Sequence, residues 1–238
     1  MKKKLYSLFI IYLLIIKSGF SQTLPDTTNN QSGGTDTAVS PLQVFKLILS
    51  ESFTGFDTAT SPNNRQIAGN RLGLIANKWA EQWAAQYYAC YSTIILSFFE
   101  KDESKKDAYL DESDKYIAKV KELKPGENDE TYIMAALIAN ARIAVKPGSR
   151  WKQYGDIFNA DIEKAKSIQP NNPRIYYLQG NSISHTPKMF GGGAKNALPY
   201  FEKADSLFQT EKSDDIFKPF WGKKQNAEML KTCKEDLK

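Results

Sequence analysis

Histidine and cysteine are scarce in this sequence of 238 residues, which contains one histidine and two cysteines. A Cys/His metal site needs several such ligands at short spacings, and Cys90 and Cys233 lie too far apart in the chain to provide them. Whether these two cysteines pair as a disulfide or stay as buried thiols is left open. The single histidine, His185, has no nucleophile-elbow serine to complete a catalytic triad. We therefore predict no metal site, no cofactor and no catalytic residue, and a protein that is not an enzyme.

The N-terminus lacks an apolar run long enough for a membrane span. Three lysines precede the apolar run Leu5–Ile16, which is shorter than the roughly 20 residues that a spanning helix needs. Small residues follow at the positions that a signal peptidase reads, so residues 1–21 have the pattern of a signal peptide. We expect an exported protein, periplasmic or extracellular, with no integral membrane segment after cleavage.

A strong excess of charge of one sign is also missing. The net charge of the whole chain is +5, but residues 1–21 hold four lysines and no acidic residue, so their removal leaves +1. A nearly neutral protein has no electrostatic basis for binding nucleic acid. We therefore predict no nucleic-acid partner.

Large apolar residues are few in residues 22–41, which consist mainly of Thr, Asn, Ser, Gly, Asp and Pro. Such a segment cannot bury enough surface to offset the entropy lost on ordering. We predict a flexible linker over 22–41 and one folded domain over 42–238.

Alternating runs of β-branched residues are absent from the folded region, so a sheet is not expected. Apolar residues recur instead at helical spacing between proline and glycine breaks. A long helix is predicted over 78–99, and Asn172 is predicted to cap a helix that begins at Pro173. The sequence therefore indicates an all-α fold.

Three of the predicted helices share one pattern, in 113–125, 158–170 and 197–209. Each has three matching positions, i, i+4 and i+7, and the residue at i+4 is apolar. This spacing places all three on one side of a helix. The aligned positions are Ser113, Ile117 and Val120, then Phe158, Ile162 and Ala165, then Ala197, Phe201 and Ala204.

This pattern resembles the second helix of the tetratricopeptide repeat. Tyr176 and Gly180 stand where that family places an aromatic residue and a glycine in the first helix of a repeat. The resemblance implies a short right-handed array of antiparallel helix pairs, a TPR-like α-solenoid, closed by a C-terminal capping helix. It spans roughly residues 79–235, with irregular repeat lengths.

Aromatic residues recur every four positions at Trp79, Trp83, Tyr87 and Tyr91. On one helix this spacing gives a single stripe. The stripe either belongs to the core or lines a groove in which aromatic side chains bind a partner. We keep both interpretations, and name these four residues as candidate partner-binding residues.

The only triglycine precedes a predicted helix near residue 195. Free amides at a helix start attract anions, so Gly192, Gly193 and Lys195 are candidate anion-binding residues. A P-loop is excluded because no strand precedes the glycines and no hydroxyl residue follows Lys195. The alternative is that the glycines only allow a tight turn, and that His185 interacts with the last carbonyls of the preceding helix.

Two functions follow from these features. The repeats and the missing catalytic groups favour an exported interaction module that holds a partner protein or peptide in its groove. The alternative is a small-molecule or glycan-binding protein that uses an aromatic-lined groove, in which case the stripe and the turn beside His185 would form the site.

Overall fold

The computed structural model describes residues 40–212 and 215–238, and this part of the chain is helical with no strand. The helices are α1 (Pro41–Asp57), α2 (Pro62–Lys78), α3 (Trp83–Phe99), α4 (Glu103–Leu123), α5 (Asp129–Val145), α6 (Pro147–Ile168), α7 (Pro173–His185), α8 (Ala194–Phe208) and α9 (Lys223–Glu235). The predicted all-α fold is confirmed. The predicted signal peptide and nearly all of the predicted linker lie outside the described residues.

The helices begin where their sequences favour a start. Ser40 accepts a hydrogen bond from the Gln43 amide while the Gln43 side chain bonds the Ser40 backbone, which is a capping box. Asn172 caps α7 by accepting from the Arg174 amide, with Pro173 in the first turn, as predicted. Because Ser40 caps α1, this helix begins at Pro41, one residue before the predicted domain start at residue 42.

Consecutive helices pack as pairs: α1 with α2, α3 with α4, α5 with α6, and α7 with α8. The first helices of successive pairs also contact one another, so α1, α3, α5 and α7 form one layer. The last helix, α9, packs on α8 at the end of the array. This arrangement confirms the predicted solenoid-like stacking of helix pairs, in which neighbouring pairs share one core.

The repeat positions identified in the sequence are all buried in α4, α6 and α8. Gly180 in α7 lies directly against the ring of Phe201 in α8, where a Cβ would approach the ring to 2.8 Å. Only glycine lets the two helices of this pair come so close. Cys90 and Cys233 are both buried as free thiols.

One predicted helix is interrupted. α2 ends at Lys78 and α3 begins at Trp83, so Trp79 lies in the connecting turn and not on the helix that carries Tyr87. The side-chain amide of Gln86 donates to the carbonyls of Ala76 and Ala80, at 2.9 and 3.2 Å. This buried side chain satisfies carbonyls at the end of α2. The predicted single helix over 78–99 is therefore wrong.

None of the helices in residues 40–212 and 215–238 is sufficiently long and apolar to cross a membrane.

Candidate ligand-binding groove

Residues 215–222, which we name the covering segment, pack across the layer formed by the first helices. The Phe217 ring lies 6.1 Å from Phe45 in α1 and 5.8 Å from Trp83 in α3. Trp221 lies 4.8 Å from Tyr91 in α3, and its side chain is almost completely buried. The covering segment thus fills the space beside the aromatic face of α3.

Hydrogen bonds fasten the covering segment to α3. The Trp221 Nε1–H donates to the Tyr87 hydroxyl over 2.8 Å, and the Tyr88 hydroxyl donates to the Ile216 carbonyl over 3.0 Å. The Tyr87 hydroxyl in turn donates to Glu130 of α5 over 2.5 Å. Burial, followed by the nearby Glu130 carboxylate, holds the pKa of Tyr87 well above its ordinary value. Tyr87 therefore stays a neutral donor.

A buried arginine completes this attachment. Arg174 of α7 is almost entirely buried and pairs with Glu130 at 3.3 Å and Glu211 at 2.7 Å. Its second terminal nitrogen donates to the carbonyl of Pro219 in the covering segment. A buried charge must be paired and hydrogen-bonded to be tolerated, and here the partners come from three separate parts of the chain.

The four candidate partner-binding residues lie beside or beneath this segment. Tyr87 and Tyr91 are buried, Trp83 is half-buried under Phe217, and Trp79 packs against Phe45 at 5.5 Å. Tyr87 has no exposed surface for a partner to contact. The covering segment therefore occupies the face of α3 on which a partner peptide was expected.

Beyond the covering segment the layer opens into two adjoining cavities of about 240 and 460 Å³. The first is lined mainly by α3 and α7, and the second mainly by α1, α2, α3 and α9. They share four residues: Tyr91, Ile95, Phe98 and Gln225. We name the two cavities together the aromatic groove. Its size falls in the range of about 300–1,000 Å³ that is typical of small-molecule sites.

The floor of the aromatic groove is apolar. Ile95, Phe98, Leu137 and Trp221 contribute to it, and Phe98 keeps 42% of its surface exposed. The neighbouring Phe99, on the second cavity, is 53% exposed. A stable core buries its aromatic side chains, whereas exposed aromatic side chains at a concave surface are typical of ligand sites.

Polar groups stand at opposite ends of the aromatic groove. At the first end, α7 presents Tyr177, Asn181 and His185, which are spaced four residues apart and so lie on one face. At the second end lie the cations Arg65 and Lys224, which are accompanied by the acids Asp57 and Glu228. The groove therefore combines an apolar floor with charged and polar ends.

Arg65 is held in place at its end of the groove. Its guanidinium stacks 4.3 Å from the Phe99 ring and donates to the Ala59 carbonyl over 2.6 Å. Stacking on an aromatic ring leaves the edge of a guanidinium free to bind a carboxylate. Arg65 is thus a suitable anchor for an acidic group on a ligand.

Gln225 connects the two cavities. Its side-chain amide donates to Asp57 over 3.1 Å, which fixes the direction of the other amide atom. The Gln225 Oε1 is buried and has no hydrogen-bond partner among residues 40–212 and 215–238. An orphaned buried acceptor at a groove wall is a group that a ligand can satisfy.

Two tyrosines of the groove remain protonated. Burial, together with Glu228, raises the pKa of Tyr177 to about 12. Burial, followed by Asp57, also raises the pKa of Tyr91 well above its ordinary value. Both hydroxyls therefore act as neutral groups near pH 7, since ionisation is strongly disfavoured.

The glycine turn has a structural explanation. The Gly192 amide donates to the Pro187 carbonyl over 3.2 Å, and the Gly193 amide donates to the Ile183 carbonyl over 3.0 Å. A Cβ at Gly192 would overlap the carbonyl of Thr186, and Gly193 has φ of +90°. The two candidate anion-binding amides are thus already paired inside the turn. Lys195 is exposed on α8 and does not line either cavity.

Sequence reasoning found part of the groove and missed the rest. Of the predicted residues, only Tyr91 lines it. Phe98, Tyr177 and Gln225 were not proposed, although the eight-residue spacing of Tyr177 and His185, with Asn181 midway, was visible. That spacing places both on one face of α7, and it was the signal available in the sequence.

The fold and the groove define a helical-repeat protein with a cavity suited to a small molecule. A scan against protein-family models finds no match, and a search of curated proteins finds none either. Among solved structures, the chain is similar to the HusA haemophore from Porphyromonas gingivalis, with 29% sequence identity and a TM-score of 0.68. The similarity covers 87% of this chain and 98% of that one.

This similarity corrects the function predicted from the sequence. The preferred prediction was a module that binds a partner protein or peptide, and it is wrong. The similar structure is that of a haemophore, a carrier of haem, and the face expected to hold a peptide is filled by the covering segment. The findings favour the alternative, a protein that binds a small molecule in an aromatic-lined groove.

Proposed function

We propose that this protein binds haem, or a closely related tetrapyrrole, in the aromatic groove. The observation that carries the proposal is the combination of this groove with the 29% identity to a haemophore over 87% of the chain. Haem is a flat apolar ring with two carboxylates on one edge and an iron that accepts axial ligands. The groove offers an apolar floor for the ring and cations for the carboxylates.

The apolar floor suits the ring. Ile95 and Phe98 are shared by both cavities, so one flat ligand that spans the groove would cover them both. Burying an apolar surface contributes roughly 25 cal/mol per Å², and aromatic rings add favourable contacts with a flat π-system. Affinity would come mainly from this floor.

The cationic end suits the carboxylates. Arg65 and Lys224 lie at the same end of the groove, and an arginine–carboxylate pair is among the stronger charge-assisted hydrogen bonds. Asp57 and Glu228 at that end offset some of this charge. Because these acids weaken the attraction for an anion, a ligand carboxylate gains from this end only where it pairs directly with Arg65 or Lys224.

We also propose that the protein acts outside the cytoplasm as a binding protein and not as an enzyme. The N-terminal pattern of residues 1–21 and the similarity to a haemophore support this role. The tetratricopeptide resemblance of α4, α6 and α8 is retained as a proposal about ancestry, supported by the burial of the shared repeat positions.

Titration of the purified protein with haemin tests the proposal. We expect saturable quenching of tryptophan fluorescence, because Trp221 lines the groove, together with a change in the Soret absorption band. Absence of saturation in both signals would refute haem binding.

A matched pair of variants locates the site. Ile95→Arg places a charge on the groove floor and should abolish saturable binding, since an unpaired charge against the ring is costly. Ile67→Arg makes the same change at an exposed position of α2 outside the groove and should bind as the wild type does. Circular dichroism checks that both variants remain helical. Equal haem affinity in the two variants would place the ligand elsewhere.

A further inference from the structure

We propose that this protein docks, with one edge of its helix array, on a lipid surface that carries anionic headgroups. At this edge the first helix of each pair ends and the second begins, and we name it the turn edge. It consists of residues 58–61, 100–102, 146 and 186–193, with the first two turns of the helices that follow them. The inference goes beyond the proposed function, because it assigns a partner to a surface outside the groove lining.

Contacts between elements bring these four turns to the same side of the array. Lys146, just before α6, pairs with Glu103 at the start of α4 over 3.0 Å. Thr60, in the turn between α1 and α2, lines the second cavity together with Phe98 from the end of α3. Phe98 also lines the first cavity, which is reached by His185 at the end of α7. The turn edge therefore lies beside the aromatic groove.

Aromatic side chains are exposed to solvent at the turn edge. In residues 40–212 and 215–238, the exposed phenylalanines and tryptophans are Phe98, Phe99, Trp151 and Phe190. Phe98 and Phe99 belong to the groove, but Trp151 and Phe190, which are 64% and 72% exposed, line neither cavity. Met189, beside Phe190, is 83% exposed. Exposed apolar side chains collected on one surface indicate an interaction site.

The turn that carries Met189 and Phe190 pairs backbone groups within the protein. The Asn196 side-chain amide donates to the carbonyls of Gly191 and Gly192, at 2.9 and 3.3 Å. Polar groups that enter an apolar layer without a hydrogen bond are costly. Because these two carbonyls are already paired, the turn can place its two apolar side chains in such a layer without that cost.

Lysines surround the apolar residues of the turn edge, and several of its acids are already engaged. Glu103 pairs with Lys146, Asp107 pairs with Arg150 over 2.6 Å, and Asp102 caps α4. Five exposed lysines of this edge have no ion-pair partner within residues 40–212 and 215–238: Lys101, Lys105, Lys152, Lys188 and Lys195. The turn edge is therefore basic, although the chain without residues 1–21 is nearly neutral.

This combination favours a lipid surface over a protein partner. At a bilayer interface, aromatic and aliphatic side chains enter the acyl boundary while lysines contact the headgroups, and anionic lipid attracts each nearby lysine. Trp151 and the pair Met189 and Phe190 lie on separate connections, and a fluid surface accepts them without a matching pocket for each. Haem is largely apolar, so a docked protein would hold its groove beside the layer into which such a ligand partitions.

Cosedimentation with lipid vesicles tests the docking. The protein is prepared without residues 1–21 and without haem, so that neither the apolar N-terminal run nor the ligand contributes. We expect binding to vesicles that mix phosphatidylcholine with phosphatidylglycerol. Binding should fall at least about 10-fold on phosphatidylcholine alone or in about 1 M salt, because the charge attraction is then absent or screened. Equal binding to both kinds of vesicle would overturn the proposed role of the lysines.

A matched pair of double variants locates the contact. Met189→Ser with Phe190→Ser should weaken vesicle binding at least about 10-fold. The control, Leu47→Ser with Leu74→Ser, removes two exposed apolar side chains from α1 and α2, and it should bind vesicles as the wild type does. Equal weakening in the two double variants would contradict docking through the turn edge.

Tryptophan fluorescence reports the contact directly. Trp151 is the only exposed tryptophan of the four in the sequence, so brominated acyl chains should quench its emission in the wild type, and this quenching should be lost in Trp151→Phe. Absence of vesicle binding overturns the proposal. Self-association of the wild type in place of vesicle binding, abolished by the Met189 and Phe190 substitutions, also overturns it and assigns the edge to a second copy.

The docking and the proposed function can fail separately. Met189 and Phe190 line neither cavity, so the variant that carries both substitutions should bind haemin within about 2-fold of the wild-type affinity. A wild type that binds vesicles but not haemin would refute the proposed function and leave the docking intact. A wild type that binds haemin but no vesicle would do the reverse.

Discussion

The two halves of α3 carry similar side chains and meet different surroundings. In the first half, Trp83 and Tyr87 lie against the covering segment, residues 215–222. In the second half, Ile95 and Phe98 face the aromatic groove. Aromatic content alone therefore does not identify a binding surface in this protein. The position at which the covering segment ends decides which part of the helix is core and which part is available to a ligand.

This comparison predicts that substitutions in the closed half change stability, whereas substitutions in the open half change ligand affinity. Four variants test the division, and the first has the largest expected effect.

Arg174→Ala should disrupt the closed half most strongly. The variant leaves Glu130 and Glu211 without their counter-charge and the Pro219 carbonyl without its donor. Removing one member of a buried ion pair costs about 3–5 kcal/mol. Urea denaturation monitored by circular dichroism measures this loss. As a control, Lys115→Ala removes an exposed pair with Glu112 and should leave the midpoint nearly unchanged; similar losses in both variants would contradict the prediction.

Tyr87→Phe removes one hydroxyl from the closed half. That hydroxyl donates to Glu130 and accepts from Trp221, so a loss of about 1–3 kcal/mol in the free energy of unfolding is expected. Haemin affinity should not change, because Tyr87 does not line either cavity. Tyr176→Phe, whose hydroxyl donates to the Pro170 carbonyl at an exposed site, should cost clearly less. A loss of haemin affinity in Tyr87→Phe would show that the two halves are not separate.

Phe98→Ala tests the open half. Because 42% of the Phe98 surface is already exposed, the stability should change little. Haemin affinity should fall about 10-fold, which corresponds to about 1.4 kcal/mol, since the ring loses contact with an aromatic side chain. The control is Trp151→Ala, which removes an aromatic side chain that is 64% exposed on α6. Fluorescence titration with haemin should separate the two variants; equal affinities would exclude Phe98 from the site.

Asp215→Asn has the smallest expected effect. Asp215 accepts from the Phe217 amide over 3.1 Å and from Lys46 over 3.0 Å, and both bonds hold the pKa of its carboxyl below the ordinary value. A lowered pKa in the folded state stabilises the protein above the unfolded pKa, and that stabilisation is lost as the pH falls through the folded value.

We expect a loss of about 0.5 kcal/mol at pH 7 for this partly exposed pair. The difference between Asp215→Asn and the wild type should shrink as the pH falls below about 4. Urea denaturation at pH 7 and pH 3 measures both values. A difference that grows towards low pH would contradict the assigned interaction.

The fold could be predicted from the sequence because its determinants are local. The spacing of Ser113, Ile117 and Val120 on one helix recurs in two later helices, and these positions are buried in all three. Proline and N-cap residues such as Asn172 marked the helix starts. The break at Trp79 was missed because it depends on the side chain of Gln86, which donates to the Ala76 carbonyl in α2 and to the Ala80 carbonyl in the following turn, and no apolar periodicity reports such bonds.

The site could be predicted only in part because it depends on long-range contacts. Whether Tyr87 is exposed is decided by Trp221, which is 134 positions away in the sequence. No periodicity within α3 reports that contact. The groove likewise brings Phe98 and Gln225 together, and no sequence pattern links these two residues. Tyr91 was identified by its four-residue spacing from Tyr87, and it lines the groove because it lies at the boundary between the closed half and the open half.

The order of the covering segment in the chain also has a kinetic consequence. The helix pairs form from neighbouring segments, so they can assemble before the covering segment reaches them. The Tyr88 hydroxyl gains its acceptor, the Ile216 carbonyl, and the Tyr87 hydroxyl gains its donor, Trp221, only when residues 216–221 arrive. The inner aromatic face is therefore exposed until residues 216–221 have packed against it. Until this face closes, the folding chain exposes an aromatic surface that favours aggregation.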